Sequence, residues 1–196
     1  MTLNEKLQKV DYLSRYSRTM YEVAPTGRGD YEFLTSSPYD RQSKQVDRIQ
    51  NCLAVCLINH SQDRSQLLHV SPCPGMVRTG YTSSINNMTY FADQISLVTK
   101  EFRESNGIKS AIALGGVDTK ERLSIELGSA KTTRHDIYEL TLSEVRRALP
   151  QVEIEVGPSN KSNSYMFWVG LIALQNDFQI QYINTLAINH IAPDDF

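Results

Sequence analysis

Apolar positions along the chain follow two rhythms, one helical and one extended. Leu3, Leu7, Val10, Leu13 and Met20 recur at helical spacing, and Thr2 with Glu5 has the form of a capping box, so residues 3–21 are predicted as an amphipathic helix. From Val23 to Lys44 the pattern breaks up. Pro25, Gly27, Gly29 and Pro38 interrupt any regular element, which predicts a long surface connection and a candidate lid. The tripeptide Arg28-Gly29-Asp30 within it reads as a solvated turn. Leu53 to Ile58 is an unbroken apolar run, residues 59–65 are polar and turn-forming, and Gln66 to Ser71 is apolar again before Pro72, together predicting a hairpin.

Phe91, Ile95, Val98 and Phe102 mark a helix that Asn106-Gly107 terminates. Ile108 to Leu114 reads as a strand ending in Gly115-Gly116, and Asp118 to Gly128 as a small hairpin. A second helix carries Ile137, Leu140, Val145 and Leu149 and stops at Pro150. Val152, Ile154 and Val156 alternate with glutamates as a half-buried strand, and Tyr165 to Leu174 and Phe178 to Ile188 supply two more. Strands outnumber helices, and there is neither a repeated βαβ rhythm nor a glycine-rich phosphate loop. The expected fold class is α+β, with a mostly antiparallel sheet or sandwich core flanked by helices.

Length sharpens this picture: 196 residues with 40% hydrophobic content suit one compact domain. The charges, 20 Lys+Arg against 22 Asp+Glu, are scattered, and this excludes the basic footprint of a nucleic-acid binder. The longest apolar stretch, Tyr165 to Leu174, is about half the roughly 20 residues that a membrane span needs. The first residues contain no continuous apolar segment of the secretory kind, so a cytoplasmic setting is expected, in the protein's own cell or a host's. Three cysteines, Cys52, Cys56 and Cys73, are unsuited to a disulfide framework and are expected as free thiols.

A thiol nucleophile needs a base within reach in the fold, and Cys52 with His69 offers one. Side chains on a strand alternate, so Cys52, Ala54 and Cys56 share a face. A hairpin turn centred between residues 61 and 62 puts Ala54 opposite His69 with Cys52 diagonal to it. A turn centred one residue later puts Cys56 opposite instead. Position separates the two thiols: Cys52 follows polar Gln50-Asn51 at the start of its run, whereas Cys56 lies between Val55 and Leu57. A metal arrangement of Cys52, Cys56 and His60, with His69 and Cys73, requires helices where the pattern predicts a strand and prolines. A papain-type site has only His190 at the necessary distance. His60 and His135 read as a turn and a helix-surface residue, and Trp168 as a core strand residue.

The string from Cys52 to Ile58, the polar turn, and Leu68-His69-Val70-Ser71-Pro72, with His69 placed 17 positions after Cys52, resembles the active-site hairpin of the CheD family. These are the receptor glutamine deamidases of bacterial chemotaxis, which share a superfamily with the cytotoxic necrotizing factor toxins. Gly115-Gly116, Gly128, and the turn Gly157-Pro158-Ser159-Asn160 before a last strand follow in the family's order, so the resemblance covers about residues 46–170. It implies residues 1–45 as an N-terminal helix and loop extension and 46–196 as the deamidase domain. It also implies Cys52 as nucleophile and His69 as base, with no metal and no cofactor. Where the chemotaxis enzymes carry a Thr that orients the His, this chain has Val46, and the toxin branch implies its main-chain carbonyl in that role. Where the family carries Gly-Ser before the Cys, this chain has Gln50-Asn51. The expected substrate is a protein bearing a reactive glutamine, met by Asn51 and by the aromatics Tyr31, Phe33 and Tyr39 of the connection that ends beside Val46. The alternative expectation is a non-catalytic binding module on the same fold.

Overall fold

Two five-stranded sheets stack face to face, and helices cover the outer face of one of them. The computed structural model describes residues 2–11, 20–23, 34–71, 85–120, 133–162 and 164–186. Its strands are β1 (Leu7–Lys9), β2 (Tyr21–Glu22), β3 (Leu34–Ser36), β4 (Lys44–Ile49), β5 (Leu53–Asn59), β6 (Arg64–Val70), β7 (Lys109–Gly115), β8 (Ile154–Val156), β9 (Tyr165–Ala173) and β10 (Phe178–Leu186). Its helices are α1 (Ile85–Val98), α2 (Lys100–Glu104) and α3 (Arg134–Ala148). The first sheet has the order β1-β10-β9-β4-β2 and the second β3-β6-β5-β7-β8. Most pairings are antiparallel, and β1 with β10, β2 with β4 and β7 with β8 run parallel. The α+β class read from the sequence is the class observed.

The unbroken apolar run of β5 has a physical reason, because this strand is buried on both faces. Leu53, Val55 and Leu57 face Phe91, Ile95, Phe102, Tyr138 and Val145 of the helices. Ala54, Cys56 and Ile58 face Val46, Ile49, Phe167, Val169 and Leu171 of the opposing sheet. The second sheet is therefore the middle layer of three, with its hairpin strands at the centre.

The predicted helix over residues 3–21 is corrected. Thr2 and Glu5 do make half of a cap, the Thr2 amide donating to Glu5 Oε2 at 2.9 Å, but only a single 3-10 turn follows (Asn4–Lys6) before β1 pairs with β10. Leu3 is buried in the intersheet core, and its amide donates to Glu155 Oε1 at 2.7 Å, so long-range anchoring overrides local propensity. Residues 12–19 lie outside the described residues. The connection predicted over 23–44 is also partly strand: the Val23 amide donates to the Gln45 carbonyl at 2.8 Å, and β3 pairs with β6. Residues 24–33, with Arg28-Gly29-Asp30, lie outside the described residues, as does most of the hairpin expected over 118–128.

The helix expected across Phe91 to Phe102 is divided at Thr99, whose hydroxyl donates to the Ile95 carbonyl at 2.7 Å. The α3 helix begins with a complete capping box between Thr133 and Asp136. No helix among the described residues is long and apolar enough to cross a membrane.

Candidate active site

Cys52 sits where the chain passes from one sheet to the other, in the three-residue turn between β4 and β5. Three contacts pin this turn: Gly116 N–H donates to the Cys52 carbonyl at 2.7 Å, Asn160 Nδ2 to the Gln50 carbonyl at 3.0 Å, and Arg134 Nη1 to Asn51 Oδ1 at 3.2 Å. The Gly115-Gly116 pair is needed here. Both residues have positive φ, and a Cβ on Gly115 would lie 2.6 Å from Ile49 Cγ2 and 3.1 Å from the Cys52 carbonyl oxygen.

The hairpin has the register expected from a turn centred between residues 61 and 62, with Ala54 opposite His69. Cys52 packs at the edge of the intersheet cluster that holds Ala54 and Cys56. The Cys52 side chain and the His69 ring therefore share the face of the second sheet that looks onto the first. The two thiols differ in environment: Cys52 is half-buried and Cys56 fully buried. Burial pushes the Cys56 thiol up to about 12. Burial also raises the Cys52 thiol, and a hydrogen bond from Cys52 Sγ to Ser71 Oγ, 3.7 Å long, pulls the other way. Cys73 lies outside the described residues.

His69 is 8% exposed, and burial lowers its pKa, with the Asp47 carboxylate acting in opposition. The ring is therefore neutral near neutral pH. Among the described residues neither of the two buried ring nitrogens has a hydrogen-bond partner, so the contact expected from the Val46 carbonyl is not made in this conformation. Val46 lies on β4, which packs against β6, and a bulge follows it: pairing with β9 shifts between Val46 and Ile49, and Arg48 has φ 52°. The bulge occupies Asp47 and Arg48, breaking strict alternation at the point from which Asp47 acts on the ring. Thr35 of β3 stands directly opposite His69 on the other side, its buried hydroxyl likewise without a partner among the described residues. Asp47, Thr35 and Ser71 are the neighbours of the pair that sequence reasoning missed. Ser71 was within reach of it, because the register that puts 54 opposite 69 puts 52 opposite 71.

Among the residues expected to meet substrate, Asn51 is exposed beside Cys52, its amide oxygen engaged by Arg134. Tyr39 is corrected to a core residue. It is 9% exposed, its ring meets Phe102 edge-on at 6.0 Å, and its hydroxyl lies 3.1 Å from both Gln62 Oε1 and Ser105 Oγ, sharing its one proton between them. Gln62 is in the hairpin turn, and the strand separating that turn from Cys52 spans roughly 20 Å. Tyr31 and Phe33 lie outside the described residues.

The metal arrangement of Cys52, Cys56 and His60 fails on geometry, since these residues follow one extended strand and not a helix. Among the described residues no group of three or more His, Cys, Asp and Glu side chains is placed to hold a metal ion. His60 Nε2 pairs with Ser110 Oγ at 2.7 Å and His135 Nδ1 with Asp118 Oδ1 at 2.6 Å. Trp168 is a buried strand residue, as expected.

No protein-family model and no curated protein matches the chain. Among solved structures it is similar to the crystal structure of hypothetical protein YfiH from Bacillus licheniformis, with TM-score 0.40 and 11% identity over 79% of this chain and 64% of that one. It is also similar to the C-terminal domain of CNFy from Yersinia pseudotuberculosis, with TM-score 0.31 and 9% identity over 72% of this chain and 47% of that one. The chain spans less than two thirds of either. Fold and site together define an α+β protein of two stacked sheets with a half-buried thiol and a buried neutral imidazole on one inner face.

Proposed function

We propose that the chain is a cysteine-dependent protein glutamine deamidase. The observation that supports this most is the hairpin register, which sets Cys52 and His69 diagonally on one face of adjacent strands while sealing Cys56 away. Diagonal neighbours are about 7–8 Å apart at Cα, within reach of an imidazole that leans along its strand. In this reading His69 takes the thiol proton and the sulfur attacks the carboxamide carbon of a glutamine. The His69 proton then goes to the departing nitrogen, and ammonia leaves a thioester on Cys52. Water gives a proton to His69 and its oxygen attacks the thioester. The sulfur–carbon bond breaks, the proton returns to sulfur, and glutamate is released. Peptide N–H groups of the turn at Gln50–Cys52 are the proposed donors to the tetrahedral oxyanion.

Burial keeps the thiol protonated and the imidazole neutral at rest, which favours proton transfer during attack over a preformed ion pair. The second ring nitrogen needs an acceptor. The facing strand β4 brings Val46, whose carbonyl is the proposed partner after ring rotation, together with Asp47. The proposed substrate is a protein, approached through Asn51 and the segment containing Tyr31 and Phe33.

One observation favours a second reading, a binding module without turnover: at rest the Cys52 thiol bonds to Ser71 while the His69 nitrogens have no hydrogen-bond partner among the described residues. Ammonia release from glutamine-bearing proteins and peptides separates the two. The deamidase reading expects release that is lost in both Cys52→Ala and His69→Ala; undiminished release from both variants would reject it.

A further inference from the structure

The β5–β6 ladder runs from Asn59 paired with Arg64 to Leu53 paired with Val70, and the same register carried one step past the ladder sets Cys52 against Ser71. Ser71 thus stands just past the end of β6, two residues beyond His69, within hydrogen-bond reach of the sulfur. The thiol donates to its Oγ at 3.7 Å, and this is the one hydrogen bond of the Ser71 hydroxyl among the described residues. Ser71 is itself half-buried, so bulk water does not provide the whole of its hydrogen bonding.

We propose that Ser71 is a working member of the Cys52 site, its hydroxyl accepting from the resting thiol and turning to donate to the sulfur once the sulfur is anionic. The proposal rests on the reading of Cys52 as nucleophile. A serine hydroxyl carries one proton and two lone pairs and rotates freely, so it can serve either form of the sulfur without backbone movement. The hydrogen bond it gives to the anion is charge-assisted, about twice as strong as the neutral contact it replaces. No proton leaves Ser71 and no bond to its oxygen forms or breaks; the sulfur proton goes to His69.

The need for such a donor follows from the surroundings. Burial at the edge of the intersheet cluster disfavours the thiolate, and no Lys or Arg is its hydrogen-bond partner among the described residues. Among the described residues the titratable and charged groups on this side are His69 on β6, Asp47 on β4, and Arg134 of α3, which contacts neighbouring Asn51. Replacing Ser71 leaves all of them in place.

The test is the rate of iodoacetamide labelling of Cys52 against pH in the full chain, with the adduct located by peptide mass. Ser71→Ala is expected to move the midpoint upward by about half to one pH unit, which slows labelling roughly 3- to 10-fold below it. Ser71→Thr, which keeps the hydroxyl, is expected to retain the parent midpoint. A midpoint in Ser71→Ala that is unmoved or lower overturns the proposal. The readout needs no substrate: an upward shift in a chain that releases no ammonia upholds Ser71 while sinking the deamidase reading. An unmoved midpoint in a chain that does release ammonia sinks Ser71 alone.

Discussion

Gly115→Ala probes how tightly the nucleophile's main chain is held. Gly115 ends β7 with φ 86°, a conformation that costs an L-residue about 1–2 kcal/mol. The added methyl would stand 2.6 Å from Ile49 Cγ2, a fully buried intersheet side chain, and 3.1 Å from the Cys52 carbonyl oxygen. Neither neighbour yields easily. Ile49 is packed among Phe167 and Leu114, and the Cys52 carbonyl already accepts from Gly116 N–H. Overpacking of this kind costs about 1–3 kcal/mol, and the loss of unfolded-state entropy on replacing glycine returns about 0.4–1 kcal/mol.

The expected net loss is about 2–4 kcal/mol, or roughly 5–15 °C in Tm for a chain of this size. Urea unfolding measures it, with Gly157→Ala as the control. At Gly157 the nearest neighbours of the methyl would be side-chain atoms and no backbone, Leu114 Cγ at 3.1 Å and Ile112 Cδ1 at 3.3 Å. The Cys52 labelling rate should change in Gly115→Ala and not in Gly157→Ala. If Gly115→Ala cost no more than its control, the claim that this glycine holds the turn at Cys52 would be refuted.

Two further predictions concern ionisable groups. In the native chain at pH 8 iodoacetamide should label Cys52 well before Cys56, because a thiol titrating at about 12 is only about one part in ten thousand thiolate there; comparable rates would overturn the choice of nucleophile. Lys44 is fully buried, and its ammonium shares three N–H groups among four acceptors, Asp40 Oδ1 and the Gln42 carbonyl at 2.7 Å and the Asp40 carbonyl and Ser65 Oγ at 3.1 Å. Burial lowers its pKa despite Asp40, so the folded state holds this proton less tightly than the unfolded state, and stability gains as pH rises from the folded value towards 10.5. Lys44→Met should be less stable at neutral pH, because it strands those acceptors, and should lack that alkaline gain; a parallel pH dependence of the two unfolding free energies would show that Lys44 does not titrate as described.

The central hairpin was legible because its signals are local. An apolar run, a polar turn and a proline stop define β5 and β6 and narrow the register to two turn centres, of which the fold has the one between residues 61 and 62. The same arithmetic holds the Cys52–Ser71 pair. The strands β1, β2 and β3 were not legible, since each is only two or three residues long and exists through pairing with distant strands. Leu3, Leu7 and Val10 fit a helical stripe equally well, and what decides against it is the edge of β10 and the carboxylate of Glu155, 152 residues away from Leu3. The bulge that carries Asp47 leaves no hydrophobic trace. Tyr39 follows Pro38 in a segment that looks exposed, and only the packing of α2 under it reveals a core residue. A deletion of residues 26–40 would consequently remove β3 beside His69 and a core tyrosine, so it tests stability along with recognition.

The most direct test of the central claim is the fate of oxygen. Incubating cell extract with the full chain in water enriched in oxygen-18 should yield specific glutamine sites converted to glutamate carrying one heavy oxygen, since water resolves the thioester on Cys52. The account predicts that these sites vanish with Cys52→Ala and with His69→Ala. The same sites, labelled to the same extent by Cys52→Ala and by the parent chain, would contradict it.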